Sequence, residues 1–315
     1  MKIKNVLLFN KIDEMMNTFR NAYSIKDLEN ISGIKAHTIR IWEKRYNILE
    51  PMRTETNIRY YDFSSIQKLL NITLLHNHGY KISKISQYPS ENIPNLVKEI
   101  ITNKTYKNHA INAFKVAMLN FDREAFYKAY EQLLANKSFT AIFSDVFVPL
   151  LNEIGLLWQT NTITAAHEHF ITNLIKQKLD VELEIISRSQ KVTQDKVFIL
   201  FLPLQESHDL GLKYLNYEVV KNGYKTIYLG ENIQIDDLLK MTEQFEQPVF
   251  LTYITTAPMA DEINAYIQKI QQTVLQSAPL AEIWVTGIGI ENLHMESATN
   301  RTKLFLSMDH IIKTL

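Results

Sequence analysis

Glu206-Ser207-His208-Asp209-Leu210-Gly211 is the stretch of this sequence with the most chemistry in the least space. An imidazole stands there with one carboxylate two residues before it and another directly after it. A carboxylate that accepts the proton of one ring nitrogen fixes the tautomer and leaves the other nitrogen as a lone-pair donor to a metal. The six residues follow the apolar run Val197-Phe198-Ile199-Leu200-Phe201-Leu202, bounded by Lys196 and Pro203. Such a run predicts a strand buried on both faces, as in parallel sheets. The polar cluster then lies just past a strand's carboxyl end, where open α/β sheets hold their ligands.

The elements that must position this cluster are legible on either side of it. Strand-like runs recur at 197–202, 225–229, 248–254, 282–286 and 303–307. A helix over 209–222 presents Leu212, Leu215, Val219 and Val220 on one face. This alternation predicts a Rossmann-like, mainly parallel sheet over residues 190–315. No G-x-G-x-x-G follows the first strand, which argues against a dinucleotide; Gly287-Ile288-Gly289 follows the fourth instead.

Residues 95–187 contain Pro149 and almost no glycine, and their apolar positions recur at helical spacing. Ala113, Phe114, Ala117, Met118 and Phe121 are followed by Phe126, Tyr130, Leu133 and Leu134. The pattern predicts four or five helices in a bundle. It breaks at Thr160-Asn161-Thr162-Ile163, after which Thr164 is placed to cap a new helix. The break falls between Trp158 and the pair Glu168-His169, which sit at the positive end of that helix.

Residues 1–88 hold 14 Lys and Arg against 8 Asp and Glu, a net +6 balanced by −6 on the remainder of a neutral chain. That asymmetry points to nucleic acid at one end. Ser24 caps a short helix over 24–32 with Ile25, Leu28 and Ile31 on one face, and Gly33 supplies a turn. A second helix over 35–46 has Ile34, Thr38, Ile41 and Trp42 inward; Lys35, His37, Arg40, Lys44 and Arg45 form its other face. This is the layout of a recognition helix for a major groove. Beyond Pro51, the polar stretch Met52–Tyr61 reads as a hairpin wing. Its Arg53, Arg59, Tyr60 and Tyr61 can reach phosphates or the minor groove. Helices follow over 64–78 and 81–87, broken by Gly79, and Pro89 and Pro94 mark a linker over 88–95.

The fold class is therefore multidomain α plus α/β: winged helix-turn-helix, helical bundle, Rossmann-like parallel sheet. Cysteine is absent, which excludes disulfides and thiolate metal sites and is compatible with the cytoplasm. No run of about 18 apolar residues predicts a membrane span. The start, Met1 to Phe9, has too short an apolar core for a signal peptide.

Three strings carry a resemblance to known families. Tyr23-Ser24-Ile25-Lys26-Asp27-Leu28, Thr38 to Tyr46 and Arg59-Tyr60-Tyr61 resemble the MerR family of transcriptional regulators. The resemblance implies that double-stranded operator DNA is bound through Lys35, His37, Thr38, Arg40, Arg45, Arg53, Arg59 and Tyr60. Trp42 is expected in the core, and Glu43 as an internal salt-bridge partner. Many relatives dimerise through a long helix after this domain. With Pro89 and Pro94 here, any homo-oligomer, dimer or tetramer, is expected to form through the later domains.

The string Asn152 to Trp158, followed after nine residues by Glu168-His169-Phe170, resembles the helical cap of CarH/LitR-type cobalamin-dependent regulators. The loop after the first strand is similar to the cobalamin motif D-x-H-x-x-G, with Glu206 for Asp, His208 and Gly211. Thr252-Tyr253-Ile254 matches the family's S-x-L element, and Thr286-Gly287 its G-G element with one glycine lost. The resemblance implies a cobalamin, adenosylcobalamin foremost, with His208 as cobalt ligand and Glu206 holding its other nitrogen. Gly211 would leave room for the nucleotide tail, whose displaced dimethylbenzimidazole lies in a slot beside the first strand. Thr252 and Gly287 would line the site, and Thr286 would crowd it. Trp158, Glu168 and His169 would contact the upper ligand.

Such a protein is not an enzyme. Light would cleave the cobalt–carbon bond and break a DNA-gripping oligomer. Light-sensing relatives can carry a histidine after the cap tryptophan; here that residue is Gln159. A light-independent cobalamin sensor, a regulator with a degenerate site, and a corrinoid methyl-transfer protein are the alternatives. His76, His78, His167 and His294 lack the context of a ligand.

Overall fold

The computed structural model describes residues 22–100, 106–255, 260–287, 290 and 300–315. Met1 to Phe9, Ile288, Gly289 and His294, all weighed above, lie outside the described residues. The chain divides after Ile175 into two compact units.

In the first unit, helix α1 (Ile25–Ser32) opens with a reciprocal cap. The Asp27 amide donates to the Ser24 hydroxyl, and the Ser24 amide to the Asp27 carboxylate. It ends on Gly33 at φ +76°, a left-handed turn that favours glycine. Helix α2 (Ala36–Tyr46) buries Ile39 and Trp42. Ile41, expected inward, is 44% exposed and Thr38 is half-buried. The helix begins at Ala36, and the i, i+3 pair Ile39 and Trp42 alone sets its inner face. Strands β1 (Met52–Arg53) and β2 (Arg59–Tyr60) form the antiparallel wing.

Helix α3 (Phe63–Asn77) and the short α4 (Ile82–Ile85) follow. The expected linker is instead ordered as a 3-10 turn over Ser90–Asn92 and helix α5 (Ile93–Ile100), with Ile93 and Val97 buried. Pro94 lies in the first turn of α5, where its missing amide hydrogen costs nothing.

Helices α6 (Tyr106–Leu119) and α7 (Arg123–Leu134) pack through Phe114 and Phe126, ring centroids 5.0 Å apart. One long helical run then comprises α8 (Phe139–Ile142), a π-helical turn (Phe143–Phe147) and α9 (Val148–Gln159). Phe139–Trp158 is apolar and long enough to cross a membrane by length and composition. Its Phe139, Ile142, Phe143, Val146, Phe147, Leu150, Ile154 and Leu157 are the buried core of the bundle. Helix α10 (Ala165–Ser189) closes the bundle and continues into the second unit.

The second unit holds five strands: β3 (Val197–Phe201), β4 (Lys225–Gly230), β5 (Pro248–Ile254), β6 (Glu282–Gly287) and β7 (Thr302–Phe305). All pairings are parallel, in the order β4-β3-β5-β6-β7. Helices α11 (Leu210–Lys221) and α14 (Met308–Thr314) cover one face through Leu212, Leu215, Val219 and Ile311. Helices α12 (Ile235–Met241) and α13 (Ala260–Ile270) cover the other. The connections that leave β3 and β5 run in opposite directions along the sheet, to β4 and to β6. The carboxyl ends of β3 and β5 therefore flank the topological switch point.

Candidate functional site

The loop after β3 brings Glu206 and His208 together at that switch point. Glu206 is 3% exposed and works with both oxygens. Oε1 accepts the His208 amide at 2.9 Å and lies 2.8 Å from His208 Nδ1. Oε2 accepts the Thr255 amide at 2.7 Å and the Thr255 hydroxyl at 3.0 Å. One buried carboxylate thus ties the β3 loop to the end of β5. A carboxylate can only accept, so the proton of the neutral imidazole sits on Nδ1 and Nε2 presents its lone pair. The His208 side chain is 60% exposed, so that lone pair is reachable.

Asp209 does not share in holding the imidazole: its carboxylate pairs with Lys176 at 2.5 Å. Among the described residues no cluster of three or more His, Asp or Glu side chains could hold a bare ion. A single held imidazole suits a metal whose other positions a macrocycle already fills.

Thr252 is 1% exposed, and its Oγ1 has no hydrogen-bond partner among the described residues. Gly287 has φ +137°, and a Cβ there would meet the Ile254 carbonyl oxygen at 1.8 Å, so only glycine fits between β5 and β6. Thr286 donates its hydroxyl to the Phe305 carbonyl at 2.8 Å. At Gly211 the space of the missing Cβ is already taken: the Tyr253 ring comes within 2.8 Å of it. The room expected there for a nucleotide tail holds this side chain, which the sequence shows only as the middle residue of Thr252-Tyr253-Ile254.

In the first unit, Trp158 is 54% exposed near the end of α9. Glu168 Oε2 lies 3.3 Å from His169 Nε2, and Thr172 donates to Glu168 Oε1 at 3.0 Å. Thr164 turns its hydroxyl to His167 Nδ1 at 2.8 Å, so the start of α10 is closed by that ring. His167 itself is buried and stacks on Phe121 at 4.5 Å. His76 lies against Trp42, and His78 Nδ1 sits 2.7 Å from the Leu74 carbonyl.

On the reader, Lys35, His37, Arg40, Arg45 and Arg53 are exposed; Thr38, Arg59 and Tyr60 are half-buried. Glu43 pairs with Arg59 at 3.5 Å and accepts from the Tyr61 hydroxyl, which joins α2 to the wing. Burial, then this bond, pushes the Tyr61 phenol up. Arg53 donates to Asn57 Oδ1 at 2.8 Å across the wing turn. Glu29, unremarked in the sequence, accepts the Ala36 amide at 3.1 Å and pairs with Lys26 and Lys35. These contacts, the Ala36 bond foremost, bring its carboxyl down to about 2. They also cap the recognition helix, whose own N-cap residue Lys35 makes no side-chain cap.

The model of the MerR HTH family regulatory proteins matches residues 23–91, and that of a B12 binding domain matches residues 110–181. This chain joins a MerR helix-turn-helix domain to a B12-binding domain. It is a distant homologue of the HTH-type transcriptional repressor CarH of Myxococcus xanthus, 23% identical over 84% of this chain and 88% of the relative. The repressor CarA of the same organism is 22% identical over 65% and 67%. A monomethylamine corrinoid protein of Methanosarcina barkeri has a similar fold at 10% identity, with a TM-score of 0.56 over 68% of this chain and 98% of that one. The matched MerR segment spans the strings Tyr23–Leu28, Thr38–Tyr46 and Arg59–Tyr61. The B12-binding model covers the segment from α6 into α10, with Trp158, Glu168 and His169 inside it.

Proposed function

We propose that this protein is a cytoplasmic transcriptional regulator whose grip on operator DNA is set by a bound corrinoid, a cobalamin such as adenosylcobalamin. The observation that carries the reading is the Glu206–His208 pair, on a chain that also carries a MerR domain. His208 would give Nε2 to cobalt, Glu206 would keep the proton on Nδ1, and Thr252 and Gly287 would line the site. When bound, the corrinoid supplies a cobalt–carbon bond that light can break. Trp158, Glu168 and His169 would feel the loss of the upper group, and a homo-oligomer bound to DNA would be re-biased by it. Arg40 and Arg45 would face the major groove, while Arg53 and Tyr60 would contact backbone from the wing. No chemical step on a substrate belongs to this reading.

The test is reconstitution with adenosylcobalamin in the dark, followed by an absorption spectrum of wild type and His208→Ala. An imidazole-coordinated corrinoid in wild type and not in the variant supports the reading; identical spectra refute it. Sedimentation before and after illumination tests the light response, and equal behaviour removes it.

A further inference from the structure

We propose that Tyr253 is a specificity-determining residue of the corrinoid site, opposing entry of the lower nucleotide tail. The inference rests on the corrinoid reading of His208. If His208 takes the lower cobalt position, its nitrogen–cobalt bond forms as the benzimidazole–cobalt bond breaks. No electrons are exchanged, and the displaced base, still tethered to the corrin, must be housed within reach of His208.

The first turn of α11, three residues past His208, is the place the motif provides. Its Gly211 lacks a side chain, yet Tyr253 Cε1 and Cζ both stand 2.8 Å from the Cβ position. Tyr253 follows Leu251 on the sheet face covered by α11 and α14. Its register partner on β6 is Thr286, which occupies the neighbouring place on that same face. Leu202, fully buried, closes the end of β3 beside them. The ring is half-buried, hence at the mouth, and burial and then the nearby Glu206 charge push its phenol up. Glu206 also pins Thr255, two residues on, so the end of β5 is not free to carry the ring aside. A tail-bearing corrinoid has to displace this ring, whereas a corrinoid without the nucleotide does not.

The experiment titrates full-length protein with hydroxocobalamin and with diaquocobinamide, which lacks the nucleotide, following absorption. Wild type is expected to bind the cobinamide the more tightly. Tyr253→Ala should tighten hydroxocobalamin by about tenfold and leave the cobinamide within about threefold, since a specificity residue acts on the difference between two ligands. Tyr253→Phe keeps the ring and should behave as wild type. Tyr253→Leu, which retains apolar packing, gives the same answer if the alanine variant does not fold. An unchanged ratio of the two affinities in both small-side-chain variants overturns the inference. If neither corrinoid binds to any of these proteins, the corrinoid reading itself fails and the inference with it.

Discussion

Asn30 Nδ2 donates to Thr162 Oγ1 over 2.9 Å, although 132 residues separate the two in the chain. Asn30 lies in the last turns of α1, and Thr162 in the turn that follows Trp158. Thr162 is 2.9 Å from the Thr160 hydroxyl, and the Thr162 amide donates to the Leu157 carbonyl. The helix-turn-helix domain is thus hydrogen-bonded to the turn that follows Trp158. Thr162→Val removes the acceptor at nearly constant volume and should destabilise the first unit by about 1 kcal/mol. Urea denaturation measures that loss. DNA-binding titrations with and without adenosylcobalamin should show a smaller difference than in wild type.

Lys115 is buried between the same two parts, donating to the Ile31 carbonyl at 3.2 Å and to Glu153 at 2.7 Å. Its side chain is 7% exposed while that of Glu153 is 44% exposed. Lys115→Ala removes the buried ammonium together with the donor to the Ile31 carbonyl, and should cost about 2 kcal/mol. Glu153→Gln leaves that ammonium buried without its counter-charge and should cost about 3 kcal/mol. A loss in Glu153→Gln well below that in Lys115→Ala, measured by chemical denaturation, would contradict this order.

Glu206→Gln keeps the size of the side chain and removes the charge that holds the Nδ1 proton. Loss of such an outer partner weakens metal binding by about 10–100-fold. Corrinoid titration by absorption should show that loss, with the imidazole signature reduced in proportion.

Glu282 accepts from Lys196, Lys303 and the Trp284 indole, the last two contacts at 2.8 Å. Burial would raise its carboxyl, but these donors bring it down from 4.5 to about 2. A depressed carboxylate stabilises the fold above the unfolded value, and that contribution is lost as pH falls from 4.5 through about 2. The slope from one group is at most about 1.4 kcal/mol per pH unit. Acid titration of stability should be shallower in Glu282→Gln over this window and unchanged near neutrality.

Arg40 is exposed on α2, and Arg59 is held by Glu43. Arg40→Ala should weaken binding to operator DNA and reduce the salt slope by about one if the contact is to phosphate. Arg59→Ala should also loosen the wing, seen as a lower melting temperature in the absence of DNA.

The parallel sheet was legible because buried strands read as unbroken apolar runs: β3 and β5 match their runs to within a residue. The reach of Glu206 to His208 was equally plain, since two residues of spacing leave few alternatives. Ile41 misled because an apolar residue at helical spacing need not face inward; the phase of α2 is set by Ile39 and Trp42 packing on neighbouring helices. Pro94 misled because a proline in the first turn starts a helix as readily as it ends one. Tyr253, Lys115 and Asn30 were silent in the sequence. Each acquires its role from a partner far along the chain, and no local periodicity records such a meeting.

The π-helical turn Phe143–Phe147 widens one turn of the run from Phe139 to Gln159 by a residue. Every side chain after it is therefore rotated by about 100° from where an unbroken α-helix would point it. Trp158 leaves the bundle on a compass bearing chosen eleven residues upstream. Deleting a single residue from that widened turn would swing the indole to another side of the helix while leaving the chemistry of its own neighbourhood untouched.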